Sequence, residues 1–287
     1  MTTTRLFWWS PLHSFELLRP QMRHFSRNWL HLAALTRRPF LNFGDELSPL
    51  VWSAATGAKV TWSSPDKADV SAIGSILQYS NFANRSTRIW GSGFHHDPGA
   101  DVHVTPDRVL AARGPLTAVA LGVPDIAQGD PGLLSHLVVD RVPEARRQGT
   151  IFIPHFHTWG SEVGRSSLAR AKQAGITVVP PSVHPKAVLE KIAGSELVLS
   201  SSLHGVIVAH SLGVPAVLLS ITRGGESDFK YRDYYGALEK DFAFSTLEDY
   251  LATPAPLKDE AFRTAPEFEE ATHRLSPALI AAARQGL

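Results

Sequence analysis

The stretch VLSSSLHGVIVAHSLGVPAV, residues 198–217, predicts a buried strand, a turn of three serines and an apolar helix in immediate succession. An unbroken apolar strand next to an apolar helix is typical of parallel sheets, which are covered by helices on both faces. The serines follow the carboxyl end of the strand, where open α/β sheets bind ligands. This stretch therefore predicts an α/β fold with a ligand site at the serine turn.

Strand and helix patterns alternate along most of the chain, as parallel sheets with crossover helices require. A polar stretch with Pro and Gly, residues 138–149, divides this alternation into two series. We therefore expect an N-terminal domain over 1–137, a linker over 138–149 and a C-terminal domain over 150–265. A last helix, within 266–287, is expected to cross back onto the first domain.

Composition limits the classes of protein to consider. The 287 residues are 44% hydrophobic and 19% charged, an ordinary globular balance, and the net charge of +1 gives no reason to expect nucleic-acid binding. The absence of cysteine excludes a disulfide framework and a Cys nucleophile. The apolar runs are too short for a bilayer span or, before Pro11, for a signal peptide. We expect a cytoplasmic protein.

A basic segment, residues 14–38, combines arginines with aromatic and aliphatic residues at roughly helical spacing. Such a helix can bind an anionic membrane surface or a lipid-linked substrate, and it can equally be a solvated face packed on its domain. Pro20 and Pro39 favour the second interpretation because proline interrupts helices. The segment is therefore read as an insertion, and peripheral contact with the inner face of the membrane stays an alternative.

The serine turn is a candidate anion site. Backbone N–H groups and the dipole at a helix N-terminus attract a phosphate or carboxylate, and serines at this position can cap the helix. His204 lies in the first turn, where it would face the same ligand and donate a hydrogen bond or a proton. The alternative is a plain cap beside a structural histidine.

A second turn, LNFGDELSPLVW at residues 41–52, places two acids at the start of a helix. Gly44 permits a close backbone approach or a positive φ. Asp45 and Glu46 offer a general base for a sugar hydroxyl, although helix capping and dipole compensation explain both acids equally well.

A third turn lies in AARGPLTAVALGVPDIAQGDPGLL, residues 111–134. Arg113 stands at a strand end, where it can bind a carboxylate or phosphate with two parallel hydrogen bonds or simply be a surface arginine. Asp130 is predicted to cap a helix.

Histidine pairs end two other strands, His95 with His96 and His155 with His157. Neither pair has an acidic or histidine partner at helical spacing, so we predict no metal site. Lys230 is predicted to lie, with Arg232, in a loop after the last strand. Cations there are useful beside an anion site, although most such residues are solvated.

Five motifs occur in the order known from the polysaccharide pyruvyltransferase family: NFGDEL, IWGSGF, ARGPLT with GDPGLL, SSLHGVIVAHSLGVP and KYRDYY. They span residues 42–235; each motif alone is weakly specific, but five in order are strongly so. The chain resembles the short subgroup with an NFGD start and an SSLHG turn. Many members carry Arg at the position of Ser202, so here Arg113, Lys230 or Arg232 would have to supply that charge.

The resemblance implies two Rossmann-like domains facing a cleft, similar to the glycosyltransferase B type, with no metal and no cofactor. Phosphoenolpyruvate would be the co-substrate, and a sugar or lipid-linked glycan of a cell-surface polysaccharide would accept the pyruvate as a ketal. His204 would protonate carbon 3, with His155 as the alternative acid or a phosphate ligand, and Asp45 or Glu46 would be the base.

The resemblance also implies two sets of binding residues. Those expected to bind phosphoenolpyruvate are Arg113, His155, Ser201, Ser202, Leu203, His204, Gly205, Lys230 and Arg232. Those expected to bind the acceptor are Asn42, Gly44, Gly93 and His95.

Two other functions remain open from the sequence. A glycosyltransferase of similar fold would bind a nucleotide-sugar in the same cleft, but the helix after the serine turn lacks an acid for the donor ribose. A non-catalytic glycan-binding protein is the second, because Ser202 in place of Arg is consistent with lost donor binding.

Overall fold

The computed structural model describes residues 2–10, 13, 41–77, 86–99, 102, 104–221 and 227–287. The basic segment 14–38, for which membrane contact was the alternative interpretation, lies outside the described residues. The strands are β1 (Thr3–Phe7), β2 (Lys59–Trp62), β3 (Val70–Ser71), β4 (Arg88–Trp90), β5 (Val109–Ala111), β6 (Thr150–Ile153), β7 (Thr177–Val178), β8 (Leu197–Ser200) and β9 (Ala216–Leu218). The α-helices are α1 (Ser48–Thr56), α2 (Pro115–Ala120), α3 (Glu162–Gln173), α4 (Pro185–Ala193), α5 (Leu203–Leu212), α6 (Phe229–Leu238), α7 (Leu247–Ala252) and α8 (Pro254–Gln285).

The strands form two parallel sheets with the orders β2-β1-β3-β4-β5 and β7-β6-β8-β9. The predicted α/β fold with parallel sheets is therefore confirmed. The direction of strand order reverses between β1 and β3 in the first sheet and between β6 and β8 in the second. Ligands of open parallel sheets bind beyond the carboxyl ends of the strands at such a reversal.

Residues 198–217 fold as their sequence pattern predicts. All four residues of β8 are buried, and nine of the ten residues of α5 are buried, as expected of a strand and helix inside a covered parallel sheet. Gly213 ends α5 in the left-handed conformation, with φ of 64°, which a side chain would make unfavourable.

Two predicted elements differ from the structure. The final helix begins at Pro254 rather than near Pro266; Pro254 occupies the first-turn position that suits proline, and Pro266 lies inside the helix. Residues 229–238 form α6 rather than a loop, and most of this helix is buried. The boundary at 138–149 stays a prediction.

Helix α8 packs against elements of the first sheet. The indole N–H of Trp90 on β4 donates to the carbonyl of Leu279 at 2.9 Å. The Trp90 ring meets the ring of Trp52 on α1 edge to face, with centroids 5.0 Å apart. These buried aromatic contacts join the C-terminal helix to the first sheet, whose strands lie within residues 3–111.

Helix α6 is tied to helix α2 and to the turn before it by a buried ion pair and its hydrogen bonds. The carboxylate of Asp233 accepts hydrogen bonds from Arg113 Nε at 2.9 Å, from the Thr117 backbone N–H at 2.9 Å and from the Thr117 hydroxyl at 2.6 Å. Arg113 is 1% exposed and Asp233 is fully buried. A Cβ at Gly114 would overlap the Asp233 carbonyl, so only glycine permits this contact.

Replacement of Asp233 by Asn is expected to lower the free energy of unfolding by about 3–5 kcal/mol, because it leaves the Arg113 charge buried without its counter-charge. The matched control is Asp228→Asn at the exposed N-cap of α6, where the side chain makes no capping bond; its effect should stay below about 1 kcal/mol. Urea unfolding measures both, and equal losses would contradict a special role for Asp233.

Candidate active site

A pocket of about 130 Å³ lies where the strand order of both sheets reverses. The segments that follow β1, β3, β6 and β8 all contribute to its walls. The lining residues are Trp9, Asn42, Asp45, Ser75, Ile76, His95, Arg113, Asp130, His155, Phe156, His157, Ser202, Leu203, His204 and Lys230.

Among the described residues, two cations line the pocket, Arg113 and Lys230. Arg113 is fixed by Asp233, and its two terminal nitrogens donate to Ser75 Oγ at 2.7 Å and to the Phe94 carbonyl at 2.6 Å. Lys230 reaches the pocket from the first turn of α6 and is only 5% exposed. Both positive charges are therefore held in a place largely removed from water, where an anion binds more strongly than at the surface.

The serine turn presents a helix N-terminus to the pocket. Ser200 Oγ accepts from the Ser202 N–H at 3.0 Å and donates to the Ser202 carbonyl at 2.7 Å, which fixes the turn. Ser202 is the N-cap of α5, and within the described part of the chain its side chain makes no capping bond. Ser202, Leu203 and His204 all line the pocket, so the positive end of α5 faces it.

His204 is held between Gly44 and Asp130. A Cβ at Gly44 would overlap the imidazole at Nδ1, and on the other edge Nε2 lies 3.9 Å from Asp130 Oδ2. Burial lowers the pKa of His204 to about 3, and the charges of Lys230 and Arg113 act in the same direction. The imidazole is therefore neutral at neutral pH.

Asp45, from the N-terminal part of the chain, is a buried acid that lines the same pocket. Burial raises its pKa to about 8, and the carboxylates of Glu46 and Asp130 also raise it. A hydrogen bond of 2.6 Å from Asn42 Nδ2, together with the charge of Lys230, lowers the pKa but does not offset burial. Asp45 therefore carries a proton at neutral pH.

Most of the predicted site residues lie in this one pocket. They are Asn42, Asp45, His95, Arg113, His155, Ser202, Leu203, His204 and Lys230. Three glycine and serine positions support the walls instead: Gly93 packs on Arg113, Gly205 packs on Ser200, and Ser201 Oγ accepts from the His155 N–H at 3.0 Å. Gly44 likewise makes room for His204, and its φ of −61° rules out the positive φ considered from the sequence.

Two predicted residues lie elsewhere. Glu46 accepts hydrogen bonds from Trp8 Nε1 at 2.9 Å and from Ser10 Oγ at 2.5 Å, so its carboxylate holds the segment after β1 rather than lining the pocket. Arg232 is exposed, because the helical geometry of α6 turns it away from the buried side that carries Lys230 and Asp233.

Several residues that shape the pocket were not assigned to it from the sequence, among them Asp130, Asp233 and Trp9. Asp130 was predicted only as a cap, and it does accept from the Gly132 N–H at 2.8 Å, but it also lines the pocket. Asp233 directly follows the two cations, Lys230 and Arg232, of the KYRDYY motif. Trp9 follows β1, and its place after a strand was the available signal.

Among the described residues, no group of three or more histidine and acidic side chains is arranged to hold a metal ion. Within the same part of the chain, every helix is too short or too polar to cross a bilayer.

The fold and the pocket together define an α/β protein with a cationic site at the carboxyl ends of two parallel sheets. The model of the family described as polysaccharide pyruvyl transferase matches residues 92–223. The succinoglycan biosynthesis protein ExoV of Rhizobium meliloti (strain 1021) is 29% identical over 201 residues, which are 67% of this chain and 60% of that protein. These matches confirm the resemblance of the chain to the polysaccharide pyruvyl transferase family. It spans about 60% of the length of that curated relative.

The raised pKa of Asp45 predicts a pH-dependent stability. A folded-state pKa of about 8 against an unfolded value of 3.8 means that the folded chain binds the extra proton. The stabilising contribution is complete below pH 4 and is lost as pH rises to about 8, by up to about 1.4 kcal/mol per pH unit. Asp45→Asn removes this loss, so the variant should gain stability relative to the wild type from about pH 5 to pH 8.

Urea unfolding at a series of pH values measures this difference. Asp66→Asn is the control, because Asp66 is exposed and its pKa is lowered by a hydrogen bond from Ser64, so its difference from wild type should be flat above about pH 5. A flat difference for Asp45→Asn as well would mean that Asp45 is ionised in the folded protein.

Proposed function

We propose that this protein transfers the pyruvyl group of phosphoenolpyruvate to two hydroxyls of a sugar, forming a ketal on a cell-surface polysaccharide or its lipid-linked precursor. The observation that carries the proposal is the convergence of two buried cations, a helix N-terminus, one protonated acid and one neutral histidine in a single pocket. The family match favours this activity over nucleotide-sugar transfer and over non-catalytic glycan binding.

The donor would be held by its two anionic groups. Arg113, oriented by Asp233, suits paired hydrogen bonds to the carboxylate or the phosphate. Lys230 supplies the second charge, and it takes over the part of the arginine that many family members have at the position of Ser202. The N–H groups at the start of α5 complete the anion site.

The resting protonation states support an exchange of the roles that we expected from the sequence. Asp45 carries a proton at neutral pH and would give it to carbon 3 of phosphoenolpyruvate, which makes carbon 2 electrophilic. His204 is neutral and would accept the proton of the first sugar hydroxyl as its oxygen bonds to carbon 2.

The second half of the reaction would restore both groups. The bond between carbon 2 and the phosphate oxygen breaks, and the imidazolium of His204 returns its proton to the departing phosphate. The second hydroxyl then closes the ketal at carbon 2 and gives its proton to the Asp45 carboxylate. One hydroxyl proton ends on carbon 3 by way of Asp45, the other ends on phosphate, and the enzyme is unchanged.

For the architecture, we propose that each sheet is the core of a Rossmann-like domain, as in the glycosyltransferase B type, with residues 138–149 as the linker. The contribution of both sheets to one pocket supports this arrangement. We further propose that the protein works in the cytoplasm, at the inner face of the membrane where a lipid-linked acceptor is presented. The basic composition of segment 14–38 supports that location.

A thermal-shift titration tests the donor site. Phosphoenolpyruvate should raise the melting temperature by mass action, whereas UDP- and GDP-sugars should not. Lys230→Met should weaken phosphoenolpyruvate binding about tenfold or more, because it removes a charged contact.

The matched control is Arg232→Met, which removes an equal charge from the exposed side of the same helix and should leave the affinity nearly unchanged. If nucleotide-sugars raise the melting temperature and phosphoenolpyruvate does not, the donor is a nucleotide-sugar and the proposed donor is wrong. Equal effects of the two variants would show a general charge effect rather than a site at Lys230.

A further inference from the structure

Two polar atoms of the pocket face each other without hydrogen bonds. Among the residues that the structure describes, neither His204 Nε2 nor Asp130 Oδ2 has a hydrogen-bond partner, and both atoms are buried. They lie 3.9 Å apart, slightly beyond hydrogen-bond distance. The capping bond to Gly132 uses the other oxygen of Asp130, so capping does not explain Oδ2.

The charges around this pair restrict the position of the imidazole proton. Arg113 and Lys230 act on His204, and Asp233 and Arg113 act on Asp130. Burial raises the pKa of Asp130 to about 6, which still leaves it mostly ionised at neutral pH. A neutral imidazole carries one proton, on either nitrogen.

The two neutral tautomers of His204 differ in their electrostatic energy opposite Asp130. With the proton on Nδ1, the lone pair of Nε2 would face a carboxylate oxygen in a buried place, which is repulsive. With the proton on Nε2, an N–H faces the carboxylate and the lone pair is on Nδ1. Nδ1 lies on the Gly44 side of the ring, where a side chain would overlap it, and the His204 side chain lines the pocket and is 14% exposed.

We propose that Asp130 is a positioning residue that fixes the Nε2–H tautomer of His204 and leaves Nδ1 as the nitrogen that exchanges protons with the substrate. The role of Nδ1 toward the substrate rests on the proposed function. The assignment of the Nε2–H tautomer does not depend on it. When Nδ1 accepts a hydroxyl proton, the Asp130 carboxylate also stabilises the imidazolium, because an opposite charge then lies 3.9 Å away.

The variant Asp130→Asn tests this directly. Its amide oxygen can keep the capping bond to Gly132, so the fold should persist, while its NH₂ group replaces the carboxylate oxygen opposite Nε2. A donor at that place favours a lone pair on Nε2, so the ratio of the two tautomers should shift toward Nδ1–H by about tenfold or more.

Nitrogen-15 NMR of the histidine-labelled protein, recorded without phosphoenolpyruvate, reads the tautomer, and the signal lost in His204→Gln assigns it. Asp125→Asn, an exposed change in the preceding loop, is the control and should leave the wild-type spectrum. An Nδ1–H tautomer in the wild type would overturn the proposal by itself, as would an unchanged tautomer in folded Asp130→Asn. Failure of phosphoenolpyruvate to bind would instead count against the proposed function and would leave this result standing.

Discussion

The buried carboxylate of Asp233 is the contact on which the pocket depends. It orients Arg113 and anchors the start of α2 through Thr117. Because Lys230 stands three residues earlier on the same helix, the contact that fixes Asp233 also fixes the second cation at the pocket wall. One ion pair between distant parts of the chain therefore places both positive charges of the proposed donor site.

Burial then determines the chemistry that the pocket is able to perform. Removing water disfavours the charged form of every group, so an acid keeps its proton and a histidine loses its own. Asp45 and His204 differ in this way at one pH, which provides a proton donor and a proton acceptor in the same pocket. The same burial makes an isolated charge unfavourable, which is consistent with the pairing of Arg113 with Asp233 and with the position of Asp130 opposite an imidazole.

The strand ends that build the pocket could be predicted from the sequence, because the apolar strands and the turns after them are local patterns. The inward direction of Lys230 and the outward direction of Arg232 could not, since they depend on the rotation of a helix that the pattern did not predict. Residues 229–238 lack an apolar stripe, and tertiary packing rather than periodicity makes them a helix. Protonation states also depend on burial, which no local motif of Asp45 or His204 specifies.

A crystal structure of the chain with phosphoenolpyruvate tests most directly whether this pocket binds and activates that donor. We predict that the carboxylate and the phosphate of phosphoenolpyruvate contact Arg113, Lys230 and the N-terminus of α5. Carbon 3 should lie beside Asp45, and carbon 2 should be open toward His204. Phosphoenolpyruvate bound away from these residues, or a nucleotide-sugar occupying the pocket in its place, would contradict it.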